Sequence, residues 1–123
     1  MLVEIAVRNA IISLAPNRVF PDFAPPHVLA ENDPDPFITY QVIGGSGRRN
    51  IESLDSLKMY RIQVNCYAKT RILCSNLAIL VELALNNANL FKAVSLSEPT
   101  STYEDEVSLY GTMQDFSVHY HVS

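Results

Sequence analysis

Between Lys58 and Leu85 the hydropathy pattern changes its period from two to 3.6, and this switch narrows the folds open to the chain more than any other stretch. Tyr60, Ile62, Val64, Cys66 and Ala68 alternate with Met59, Arg61, Gln63, Asn65 and Tyr67. Extended backbone sets the first group on one face and the more polar group on the other, so the pattern predicts a half-buried strand. After Lys69, the residues Leu73, Leu77, Leu80, Val81 and Ala84 recur at i, i+3 and i+4. A helix built on them carries an apolar stripe broad enough to cover a sheet. Thr70 is its predicted N-cap, with a hydroxyl able to accept from an unpaired first-turn amide.

The rest of the chain supplies what such a strand and helix need as neighbours. Leu2 to Leu14 repeats Val3, Ala6, Val7, Ala10, Ile11 and Leu14 at helical spacing, and Pro16 stops that helix because its ring cannot continue the ladder. Arg18 to Phe20 reads as a short strand. Pro21 to Pro36 holds five of the seven prolines and no periodicity; it reads as a surface connector anchored by Phe23, Val28 and Leu29. Phe37 to Ile43 is β-branched and aromatic, hence a strand. Gly44 to Ser56 follows as a glycine-rich loop that makes a long hairpin with the strand at Lys58. Leu90 to Leu96 is a candidate strand, Pro99 to Thr102 a turn, Tyr103 to Tyr110 a strand, and Gly111-Thr112 a turn. Met113 to Val122 alternates Phe116, Val118, Tyr120 and Val122 against polar residues. The order predicts one α+β domain over residues 1–123, a mainly antiparallel sheet with two helices packed on one face.

Composition excludes several function classes. With 123 residues, 48% of them hydrophobic and 18% charged, the chain is long and apolar enough for one core. Its apolar runs are too short to cross a bilayer, and Glu4 and Arg8 interrupt the one segment that resembles a signal sequence, so a cytosolic product with no membrane partner is expected. The net charge of −4 argues against specific nucleic-acid binding, since phosphate recognition needs a concentrated basic patch. Arg48-Arg49 is the one basic pair, and Glu52 and Asp55 follow it. Cys66 and Cys74 have neither CxxC nor zinc-ligand spacing and are expected to be buried thiols.

No stretch carries a catalytic or cofactor signature. His119 and His121 share a strand face with Asp115, but a metal site needs a further ligand and a supporting shell, so no metal is expected. GGSGRR lacks the phosphate-loop spacing, and a strand follows where a helix should open. No serine lies in GxSxG. Glu104, Asp105 and Glu106 read as a solvated guard against edge pairing. Neither catalytic residues nor a cofactor is expected.

RVFPDFAP, PFITYQVIGG, the strand YRIQVNCYAKT leading into a helix, and SLYGTMQDFSVHYHV resemble together the small tail completion, or tail terminator, proteins of long-tailed bacteriophages. The likeness runs from Arg18 onward, and Ala30 to Asp35 is longer than that pattern. The resemblance implies a non-enzymatic structural protein of the virion. Such a protein caps the tail tube as a ring of copies of itself, commonly six, and joins it to the head connector. Its implied partners are therefore itself, the tail tube protein and the head connector protein. Its implied places are the head-proximal end of the tail and, during assembly, the host cytoplasm. A head-side connector or tail tube subunit is the alternative within that class, and a small ligand-binding or enzymatic α+β domain is the alternative outside it.

The assembly interface expected on this reading combines Arg48, Arg49, Ile51 and Leu54 of the loop with Glu104, Asp105 and Glu106 of an adjacent copy. The loop is expected to be mobile in the isolated subunit and ordered in the ring, with charge-assisted hydrogen bonds between the two groups.

Overall fold

The strand and helix predicted around Lys58 to Leu85 stand at the centre of the computed structural model, which describes residues 2–29, 35–47 and 57–121. The chain runs through α1 (Val3–Ile11), a 3₁₀ turn at Ile12–Leu14, β1 (Val19–Pro21), α2 (Pro26–Leu29), β2 (Phe37–Gly47) and β3 (Leu57–Ala68). It continues through α3 (Arg71–Asn86), β4 (Lys92–Ser95), β5 (Thr100–Glu104) and β6 (Leu109–His121). These strands form one mixed, mostly antiparallel sheet of six in the order β1-β2-β3-β6-β4, with β5 pairing β6. Among the described strands only β1 and β2 run parallel. β3 is paired along its whole length with β6 and on its other side with β2, which makes it the spine of the sheet.

Alternation on these strands places the core. Ile38, Tyr40, Ile62, Val64, Cys66, Phe116, Val118 and Tyr120 share a core with Val3, Val7 and Ile11 of α1 and Cys74, Leu77, Ala78, Val81 and Leu85 of α3. α3 lies against β3, β6 and β4, and α1 against β2 and α3. A smaller cluster gathers Ala24, Val28, Phe37 and Leu109 with Phe20, Tyr67 and Val107. Phe37 and Tyr67 stack there with centroids 4.9 Å apart. Arg18 reaches across to accepting carbonyls at Asp35 (2.8 Å) and Pro36 (3.3 Å), which ties β1 to the start of β2.

Thr70 caps α3 as its position predicts, its hydroxyl accepting from the Leu73 amide at 3.2 Å. The inward stripe differs from the predicted one. Leu80 is 48% exposed and Leu73 is also exposed, whereas Cys74, Ala78 and Leu85 are buried. Both sets have helical spacing, and the rotation of α3 is set by what fits the sheet, where small Cys74 and Ala78 allow close approach.

Four further expectations are corrected. β2 does not end at Ile43 but runs to Gly47, passing a bulge between Val42 and Gly44 where Gly44 takes φ 147°, backbone open to glycine. Residues 100–102 are strand, and the hairpin turn falls at residues 105–108, with Ser108 at φ 54°. Gly111-Thr112 lies inside β6. A Cβ at Gly111 would stand 2.5 Å from Thr102 Oγ1 and 3.1 Å from the Tyr67 ring, so glycine serves cross-strand packing there and not a turn. Of the three anchors predicted in the proline-rich connector, Val28 is buried, but Phe23 is 75% exposed and Leu29 is exposed as well.

Candidate assembly surfaces

α3 has few charges, and both are turned to its sides. Arg71 donates to the carbonyls of Gly111 (2.9 Å) and Thr102 (2.7 Å), while Glu82 accepts from Ser95 and, at 3.4 Å, from Gln114. Opposite the buried stripe, Ile72, Leu73, Ile79, Leu80 and Leu83 are all exposed, Ile72 by 73%. At 100° per residue these five fall on one side of the helix. Interrupted by the exposed Asn76, that side gives α3 a second, mostly apolar face, which is uncovered among the described residues. The sequence carried this signal in the scarcity of charge along α3.

The acidic group predicted for the interface sits at the β5–β6 hairpin, Glu104 ending β5 and Asp105 and Glu106 in the turn, all exposed. Its surroundings were not legible. Glu104 and Glu106 join Asp22 on the rim of a groove of about 280 Å³ whose apolar walls include Phe23, Leu29, Phe37 and Val107. That volume is at the floor of the range for small-molecule sites and suits a side chain. Tyr67, at the groove wall, has its hydroxyl pKa raised by burial first and by the nearby Glu104 carboxylate second, against a side-chain hydrogen bond with Thr39. It therefore stays a neutral hydroxyl at physiological pH. The other predicted interface residues, Arg48, Arg49, Ile51 and Leu54, lie outside the described residues.

Of the residues weighed as metal ligands, Asp115 and His119 are described, and the side chain of His121 lies outside the described residues. Asp115 is engaged by Arg61 at 2.7 Å and Gln63 at 3.2 Å, and His119 is exposed beside β4, paired in register with Lys92. Among the described residues no group of three or more His, Cys, Asp or Glu could hold a metal ion. Cys66 and Cys74 are buried free thiols, and the Cys74 thiol donates to the Cys66 carbonyl at 3.2 Å. Burial pushes the Cys66 thiol up to about 12, which leaves it protonated and a poor nucleophile.

No protein-family model matches the chain, and no curated protein matches it. Among solved structures, a chain described as "Virion of native gene transfer agent (GTA) particle" superposes with a TM-score of 0.65 at 12% identity, over 98% of this chain and 95% of that one. At that identity the likeness establishes a shared fold. No helix among the described residues is long and apolar enough to cross a membrane.

Proposed function

We propose that the chain is a structural protein of a phage-like virion, a tail completion or terminator subunit that closes the tail tube as a ring and joins it to the head connector. The observation that carries this reading is the outward apolar face of α3, which serves no purpose in a free subunit and is covered in an assembly. The resemblance of the RVFPDFAP and PFITYQVIGG words and the fold shared with a gene transfer agent virion chain support it. In this reading α1 and α3 cover one face of the sheet. The chain acts by binding copies of itself, the tail tube protein and the connector, and catalyses nothing. Its place is the head-proximal end of the tail, reached from the host cytoplasm during assembly.

Burying the exposed portions of five such side chains contributes roughly 4 to 8 kcal/mol, while association itself costs on the order of 4 to 15 kcal/mol. A ring therefore needs a second contact besides α3. Electron microscopy of the purified chain, alone and mixed with tail tubes, tests the reading. Rings that sit on tube ends are expected. Tubes left uncapped and unlengthened in the absence of any ring would overturn it.

A further inference from the structure

The acidic-rimmed groove is an incomplete surface. Its floor is apolar, with Phe37 and Leu109 fully buried beneath it, yet Phe23 stands 75% exposed at its mouth. Asp22, Glu104 and Glu106 line it without a lysine or arginine among the lining residues. An occupant that satisfies both features has an apolar side chain to enter the groove and cationic groups beside it to meet the carboxylates.

Residues 48–54 have that chemistry, Arg48 and Arg49 being followed at once by Ile51 and then Leu54. The described residues that flank them, Gly47 and Lys58, lie at the far end of β2 from the groove of their own subunit. β2 starts at Phe37, in the groove wall, and is 11 residues long, which carries Gly47 roughly 30 Å away. Gly47 pairs with Lys58, so the connection between β2 and β3 is held at both ends. Folded back on itself, a nine-residue connection extends at most about 16 Å from that anchor.

Resting on the ring reading above, we propose that the groove receives residues 48–54 of a neighbouring copy. An apolar side chain from Ile51 or Leu54 lies on its floor, and Arg48 and Arg49 bond the carboxylates of Asp22, Glu104 and Glu106. Charge fixes the direction, because the opposite one sets Glu52 and Asp55 against the acidic rim. The contact joins opposite ends of the sheet, so it is head-to-tail. Such a contact leaves each copy with one free donor end and one free acceptor end until a ring closes.

Two charge reversals and their mixture test the proposal by sedimentation velocity, with circular dichroism to establish folding. R48E/R49E sets an acidic loop against an acidic groove, and E104K/E106K a basic loop against a more basic groove. Each alone is expected to assemble at least about tenfold more weakly than the parent, as loss of charge-assisted bonds implies. Mixed in equal amounts, they are expected to recover assembly as alternating copies, since each loop then meets a groove of opposite charge. Unaltered assembly of either variant, or a mixture no better than its components, would overturn the proposal and leave the ring reading standing. A parent chain that stays monomeric under all conditions would overturn both.

Discussion

Arg71, the first residue of α3, donates to the Gly111 carbonyl in β6 at 2.9 Å, and this bond joins the helix to the strand beyond its own spine. The same guanidinium bonds the Thr102 carbonyl of β5 at 2.7 Å and lies 5.1 Å from the Tyr110 ring centroid. One planar fork thus fastens α3, β5 and β6. Arg71→Ala is expected to lower stability by about 1 to 3 kcal/mol in urea denaturation. Arg71→Lys should recover little of it, because an ammonium lacks the fork and the stacking surface. An unchanged midpoint in the alanine variant would remove Arg71 from this role.

The two stripes of α3 respond differently to truncation. Leu85 is 1% exposed, so Leu85→Ala is expected to cost about 2 to 5 kcal/mol through lost burial and a cavity. Leu80 is half exposed, and Leu80→Ala should cost the isolated subunit under about 1 kcal/mol. Comparing their denaturation midpoints reads the rotation of α3 directly. A larger loss at Leu80 would mean that the helix presents its other stripe to the sheet.

Gly111→Ala is expected to destabilise the subunit because its Cβ would stand 2.5 Å from Thr102 Oγ1. Adding Thr102→Ala removes that atom and should return part of the loss, the 3.1 Å approach to the Tyr67 ring remaining. A double-mutant cycle measures the coupling. Strict additivity would show that the two residues do not meet.

Stability should fall at alkaline pH through Cys66. Its folded pKa, pushed up to about 12 by burial, exceeds the thiol's ordinary value of 9.0. A thiol whose folded pKa is raised stabilises fully below the unfolded pKa, and that stabilisation is lost as pH rises from there towards the folded value. Unfolding at pH 10 should thus be easier than at pH 7 by roughly 1 to 2 kcal/mol from this group. Tyr40 and Tyr67, also raised chiefly by burial, add in the same direction at higher pH. Replacing Cys66 with Ala should flatten the profile between pH 8 and 10, and a profile as steep as the parent's would assign the slope elsewhere.

Where periodicity and end signals agree, the elements were legible. α1 ends before Pro16, Thr70 caps α3, and β3 and β6 alternate as their residues require. Legibility failed where two physical solutions share one pattern. Leu73 and Leu80 have the same helical spacing as the residues that are buried, so period alone could not say which stripe faces the sheet. Gly111 reads as a turn by residue type, but Thr102 and the Tyr67 ring crowd its Cα, a long-range fact. At the candidate interface the acidic residues were legible as a cluster. The groove they border was not, because Asp22, Phe23 and Tyr67 come from distant parts of the chain.

The central claim is that this chain acts by assembling. Sedimentation velocity of the purified chain over a wide concentration range, repeated for an Ile79→Glu variant, tests it most directly. Glutamate at Ile79 puts a charge in the outward stripe of α3 without touching the core, so the fold should persist. The parent is expected to pass from monomer to one discrete larger species, and the variant to remain a folded monomer at the same concentrations. A parent that stays monomeric at every concentration, or a variant that assembles as the parent does, would contradict the account.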